Sequence, residues 1–268
     1  MRRILLVVAY DGTDYHGWQV QVGDATIEGE LNKAIESLTG QVTEVIGASR
    51  TDAGVHGLCN RAVFDTDSTI PAERFAPALN TYLPQDIRVI ESREVDGEWH
   101  PRHCDTHKTY EYRIDCNEVA NPLLTRYAWN VKGPLDIEAM RGAAKVLIGE
   151  HDFNAFSSVN KTVTTTVRTI YSIDIDVSDR DGELKTLNSY TGDIFIRVKG
   201  NGFLYNMVRI IVGTLVQVGM GRMTSENVTS ALESLDRTKA GPTAPPQGLT
   251  LLKIEDVCVG FDIDFGFG

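Results

Sequence analysis

The chain has 268 residues, 42% of them hydrophobic, which suits one large domain or two small ones with a sizeable core. Its 26 basic and 37 acidic residues leave a net charge of −11. That balance argues against a generic nucleic-acid binder held by bulk charge, while a localised basic cleft stays open. No apolar run reaches the roughly 18 residues of a membrane span. Cys59, Cys104, Cys116 and Cys258 form no CxxC pair and read as free thiols.

Met1 to Val8 looks at first like a short signal peptide, but the apolar run is brief and Asp11 and Asp14 follow at once. It reads as a first, buried strand over 3–10, and the chain as cytoplasmic. Apolar positions 27, 31, 34, 35 and 38 then keep helical spacing behind Thr26, a natural N-cap. Strands are predicted near 42–49 and 59–65. Pro71 opens a helix to Leu83, with Phe75, Leu79 and Leu83 on one stripe, and a strand begins at Ile87. This order, βαββαβ, is that of a ferredoxin-like unit.

The second half repeats the order with longer parts. A strand covers 108–115, and a helix runs from Leu135 to Leu147 with Ile137, Met140, Ala144 and Leu147 inward. Strands follow near 163–177 and 192–199. Helices are predicted from Phe203 to Gly219 and over 224–235, the latter capped by Thr224 or Ser225. Residues 249–256 give the last strand. The reading is an α+β chain of two ferredoxin-like βαββαβ-type halves, 1–104 and 105–258, with a tail at 259–268. The tail is either disordered or an acidic-aromatic contact segment.

Gly47 to Gly57, GASRTDAGVHG, packs Arg50, Asp52 and His56 between small residues. Small residues let a backbone approach a ligand closely. Arg50 and Asp52, two apart, share a face if the backbone is extended. A carboxylate beside a cation stays charged and can act as nucleophile or base. On spacing alone a structural ion pair explains the loop equally well.

The same eleven residues resemble the central motif of the TruA family of tRNA pseudouridine synthases. Other pieces fall in family order. Tyr10 to Gln19 resembles its Y-D-G-x-x-Y-x-G-W-Q opening, and Lys108 to Tyr112 its K-x-Y-x-Y strand. Gly149 to Phe153 resembles its G-x-H-D-F turn, Phe203 to Gly213 its F-L-x-x-M-V-R-x-I-V-G helix, and Ala244 to Leu249 its A-P-x-x-G-L close. The likeness spans residues 3 to 256.

What the resemblance implies is specific. The halves would form one continuous, mainly antiparallel sheet with helices on one face and a central active-site cleft. The activity would be isomerisation of uridine to pseudouridine in the anticodon stem-loop of tRNA, at positions 38–40. Asp52 would be the catalytic aspartate, attacking the ribose or abstracting its 2′ proton. Tyr110 would stack on the flipped uracil, Arg209 would pair with Asp52, and Leu249 would pack beside the base. Arg50, contacting the RNA backbone or helping to expel the original base, Arg102 and Lys108 are the candidate substrate contacts. The partners would be tRNA and a second copy in a homodimer. No atoms enter or leave in this reaction, so neither metal nor cofactor is expected, and no membrane is involved.

The residues carry their own weights beside that reading. An aromatic such as Tyr110 on a strand is usually core, and Tyr112 on the same face reads as packing. Arg209 interrupts an apolar helix; a surface arginine could lie there, but apolar neighbours on both sides favour burial with a partner. His56 reads as structural. His100, His103, Cys104 and His107 crowd together without a standard zinc spacing. The acids of 174–183 and the basic residues Arg50, Arg102, Lys108, Arg113, Arg197, Lys199 and Arg209 predict a bipolar surface. The alternative function is a catalytically inactive RNA-binding protein of the same fold, which would have no use for a carboxylate facing phosphates.

Overall fold

The computed structural model describes residues 1–102, 105–158, 164–178, 189–190 and 192–256. His103, Cys104 and Cys258, the acids at 179, 181 and 183, and the tail at 259–268 lie outside the described residues. The chain is α+β with mostly antiparallel strands. It divides into two compact units, Met1–Thr106 with the chain from Thr250 onward, and His107–Leu249.

The first unit runs β1 (Arg2–Tyr10), α1 (Ile27–Thr39), β2 (Ile46–Gly47), β3 (His56–Thr66), α2 (Phe75–Leu79) and β4 (Ile87–Val95). This is the expected βαββαβ order. β1 pairs antiparallel with β3 on one side and β4 on the other. The period of two sends Ile4, Leu6, Val8 and Tyr10 of β1 to one face, where they meet Ile27, Leu31 and Ile35 of α1 and Phe75 and Leu79 of α2. Each such side chain, fully buried, contributes about 1.5–3 kcal/mol. Thr26 caps α1 as predicted, its hydroxyl accepting from the Gly29 N–H at 3.2 Å, and left-handed Gly40 ends it.

Two elements are shorter than their sequences suggest. The strand expected over 42–49 shrinks to β2, because Val45 gives its N–H to the Asn32 side chain instead of a ladder. The helix expected from Pro71 to Leu83 is a 3₁₀ turn, Ala72–Arg74, then the five residues of α2. Pro77 has no N–H to give, and Ala76 spends its own on Ser92 Oγ. The predicted stripe of Phe75, Leu79 and Leu83 is nevertheless buried.

The second unit runs β5 (Thr106–Asp115), β6 (Trp129–Asn130), β7 (Leu135–Asp136), α3 (Ile137–Val146), β8 (Gly149–Asp152), β9 (Val167–Ser178), β10 (Ser189–Tyr190) and β11 (Asp193–Gly200). Then come α4 (Met207–Gly219), α5 (Ser225–Ser234) and the start of β12 (Leu249–Asp256). From Thr250, β12 runs parallel to β3 in the first unit's own sheet. β11 lies between β5 and β9, antiparallel to both, and β8 pairs with β9. The Gly149–Phe153 motif thus supplies a short strand as well as a turn. No helix of the described residues is long and apolar enough to cross a membrane.

Helix α4 is apolar nearly all round and buried nearly all round, as such a composition requires. It starts four residues later than predicted. Asn206 adopts a left-handed backbone, φ 62°, which no α-helix continues through. Near its middle, a Cβ at Gly213 would collide with the carbonyl of Pro242, and one at Gly241 would come 2.6 Å from Thr214 Cα. Helix and the 241–242 segment therefore touch backbone to backbone, fastened by the Gly241 N–H donating to Thr214 Oγ1 at 2.9 Å. Glycine to alanine within a helix ordinarily gains about 0.5–1 kcal/mol. Here Gly213→Ala should instead lose about 1–3 kcal/mol, the cost of overpacking. Urea unfolding of the purified variant checks this, and a stabilised protein would contradict the close approach.

Candidate active site

The loop that carries Asp52 is held by the opening motif of the chain. A Cβ at Gly12 would collide with the Val55 carbonyl, and one at Gly17 would lie 2.6 Å from Thr51 O and 3.1 Å from the Asp52 carbonyl carbon. Only glycine fits at either place; Gly17 also takes φ 89°. Hydrogen bonds complete the clamp. Trp18 N–H donates to Thr51 O at 3.0 Å, Gly54 N–H to Tyr15 O at 3.2 Å, and Val55 N–H closes a turn on Asp52 O at 3.1 Å. Asp52 itself is half-buried at the head of this turn.

Three side chains behind the loop add to the frame. The Tyr10 hydroxyl and Thr51 Oγ1 share a 2.9 Å hydrogen bond. Asn60, fully buried in β3, accepts from Ser49 N–H at 3.3 Å and donates to Ser49 O at 2.9 Å, acting as a one-residue strand partner. His56 is buried, with Nδ1 accepting the Gly12 N–H at 3.1 Å. It joins the two motifs, as the structural reading of this histidine expected. Asn60 had a signal in the sequence, since an amide between Cys59 and the apolar end of β3 must find partners once buried. The role of Tyr10 had none, because a tyrosine ending a strand is ordinarily packing.

Arg50 is exposed, and Arg102 reaches the same loop, donating Nε–H to Gly47 O at 2.8 Å. Burial, and then the Arg50 charge, push the Arg102 guanidinium below its ordinary pKa, while Glu28 opposes this. Two like charges held close together at a loop mark a place suited to an anion. Glu28 is itself buried; that burial raises its pKa, and Val20 N–H donates to it at 2.9 Å.

The other candidates lie in the second unit. On β5, Lys108 stands opposite Gly200 and Tyr110 opposite Val198 of β11. Tyr110 is buried, its ring edge-on to Phe203 at 5.3 Å. Tyr112 is fully buried; burial drives its phenol far above the ordinary range, with the Arg209 charge opposing, and its neutral hydroxyl donates to Pro245 O at 2.7 Å. A Cβ at Gly248 would press on the Tyr112 ring at 2.6 Å, so this glycine lets the A-P-x-x-G-L segment lie flat and seat buried Leu249. Arg209 is half-buried, with Nε donating to Ala244 O at 2.7 Å and Nη1 to Asn206 Oδ1 at 2.8 Å. Asn206 and the Ala244 carbonyl are further parts that residue-by-residue reading missed.

Two of the predicted basic residues are neutralised by acids. Arg113 pairs with buried Asp193 at 2.6 Å, and Arg197 pairs with Glu111 and Asp176 at 2.7 and 2.8 Å. Neither offers an uncommitted charge to RNA. Of the histidine cluster, His100 Nδ1 accepts Arg102 N–H and the His107 ring packs at a tilt against Tyr171, centroids 4.4 Å apart. At the Asp52 loop, Asn60→Ala should cost about 1–3 kcal/mol by removing the amide's bonds to both backbone groups of Ser49. Equilibrium denaturation measures that loss, and a variant as stable as the parent would show that water replaces the amide.

A family model described as tRNA pseudouridine synthase matches residues 6–103 and 143–255. Similar curated proteins carry matching names. "tRNA pseudouridine synthase A" of Thermoanaerobacter sp. (strain X514) is 46% identical over 254 residues, covering 95% of this chain and 99% of its own. "tRNA pseudouridine synthase A 2" of Clostridium tetani is 47% identical over 255 residues, covering 94% and 98%. "tRNA pseudouridine synthase A" of Geobacter sp. (strain M21) is 44% identical over 255 residues, covering 95% and 98%. With its motifs on the clamped Asp52 loop and around Arg209, and with near-half identity along nearly the whole length, the chain belongs to the tRNA pseudouridine synthase family.

Proposed function

We propose that the protein is an isomerase that converts uridine to pseudouridine in tRNA, in the anticodon stem-loop at positions 38–40. The observation that carries the proposal is Asp52, a half-buried carboxylate on a turn immobilised by Gly12 and Gly17, in a chain of this family. An inactive RNA-binding protein would gain nothing from a fixed carboxylate beside Arg50 and Arg102, where it repels phosphates.

The reaction breaks the C1′–N1 bond of uridine, turns the uracil and forms a C1′–C5 bond. The C5 proton leaves and N1 gains one, so composition is unchanged and no metal or redox cofactor is required. The base must first leave its stack, at a cost of a few kcal/mol. Asp52 serves as nucleophile at C1′ or as base at the 2′ position. Tyr110 stacks on the uracil, Leu249 packs beside it, and Arg209 supplies the positive charge that keeps the carboxylate ionised. Arg50, Arg102 and Lys108 hold flanking phosphates. A homodimer follows from the same reading, since a tRNA arm is longer than one catalytic cleft. So does a cytoplasmic location, where tRNA is found.

Single-turnover assays on an unmodified tRNA transcript, with pseudouridine mapped by position, test this reading. Asp52→Asn should lower the chemical rate at least about 10⁴-fold, the scale for losing a nucleophile or base. Its tRNA affinity should not fall; substantial residual turnover would remove Asp52 from the central role.

Binding should also weaken with salt despite the acidic total charge. Each neutralised phosphate contributes about 0.7 to 0.9 to the slope of log affinity against log salt. Filter binding across a salt series should give a slope of several units, and a flat line would contradict the phosphate contacts.

A further inference from the structure

The last residue before α4 is built unlike an ordinary helix cap. An N-cap asparagine normally has extended backbone angles and turns its side chain onto the N–H groups of the first turn. Asn206 does neither. Its backbone is left-handed, φ 62° and ψ 5°, and its side chain makes no capping bond. Its carbonyl still starts the helix, accepting from Ile210 N–H at 2.9 Å.

The side chain is spent elsewhere. Oδ1 accepts from Arg209 Nη1 at 2.8 Å, and Nδ2 donates to Ser158 Oγ at 2.9 Å. The amide orientation is fixed by chemistry, because a guanidinium offers donors only, so the oxygen must face it. Arg209 is three positions beyond Asn206, in the first turn of α4, within reach of the carboxamide. On its other edge the guanidinium gives Nε–H to Ala244 O, a carbonyl placed by the glycine-permitted contact of α4 with 241–242. Arg209 is therefore gripped from two sides, by one backbone carbonyl and one carboxamide. Asparagine is the non-glycine residue best suited to this backbone that also brings a neutral acceptor. A neutral acceptor orients the guanidinium without cancelling its charge.

We propose that Asn206 is a positioning residue for Arg209, holding the guanidinium in the one orientation that serves catalysis. The proposal rests on the reading above in which Arg209 supports the catalytic carboxylate. The strained cap is kept for its carboxamide; for the backbone alone, glycine would do better.

That contrast makes the test. Asn206→Gly suits the backbone and removes the carboxamide. The backbone gain offsets part of the two lost hydrogen bonds, so thermal unfolding should show a folded, cooperatively melting protein, while its single-turnover rate should fall about 10- to 100-fold, the range for losing a hydrogen bond to a charged group, with the half-saturating tRNA concentration unchanged. Asn206→Asp keeps the acceptor and should recover part of that rate. Partial rescue of the rate at an unchanged half-saturating concentration is a result that a purely structural role does not produce. A glycine variant with the parental rate overturns the proposal. Arg209→Lys, assayed in parallel, separates the two ideas. If it is impaired while Asn206→Gly is not, only the positioning role fails; if it too has the parental rate, the reading of Arg209 fails with it.

Discussion

The carbonyl of Val55 lies directly against Gly12, with no side chain between, and the backbone at Thr51 and Asp52 lies against Gly17 in the same way. Most of what distinguishes the first unit depends on this contact. Backbone on backbone leaves almost no freedom of adjustment, because neither partner has a rotamer to change. The turn that carries Asp52 thus inherits the rigidity of the sheet behind it. Tyr10 and His56 then tie the loop to the ends of β1 and β3, and Asn60, within β3, holds it at Ser49. In the proposed mechanism, which guides a detached base back to the same sugar, the Asp52 carboxylate works best when fixed beforehand and not after binding.

The second unit uses the same device for its own motifs. Gly213 and Gly241 bring α4 against the 241–242 segment, which sets the Ala244 carbonyl onto Arg209. Gly248 lies flat on the Tyr112 ring and seats Leu249. The glycines of the opening, helix and closing motifs thus share one physical reason, close approach. The charged residues follow a different logic. Arg113 and Arg197 are neutralised by carboxylates, while Arg50 and Arg102 sit close enough to repel one another. A chain with a net charge of −11 can thus keep a local positive site without being basic overall.

Much of this was legible in the sequence, and the failures have causes. The buried first strand, the Thr26 cap and the inward stripe of α3 follow from periodicity and capping, which are local properties. Helix α2 came out shorter because Pro77 and Ser92 withdraw N–H partners, and Ser92 is distant in sequence. The late start of α4 hangs on one left-handed residue, Asn206, whose tolerance of that backbone is a weak signal beside the apolar residues around it. Asp52, Tyr110 and Arg209 are proposed as site residues on motif resemblance, since their individual signals are equally those of core or of ion pairs. Asn206 was passed over because an asparagine at a helix start has no fixed meaning until its two amide partners are known. Salt bridges across strands, such as Arg197 with Asp176, need the register of β11 on β9.

The claim on which the account turns is that the Asp52 loop is preset by the sheet and does not order around substrate. Native-state hydrogen exchange of the free protein measures this at the Trp18, Gly54 and Val55 amides, each of which donates within the clamp. If the account is right, these amides exchange only through openings as costly as those of the β1 and β3 core amides. If they exchange through cheap local openings while β1 stays protected, the loop is mobile before tRNA arrives, and the preset carboxylate is contradicted.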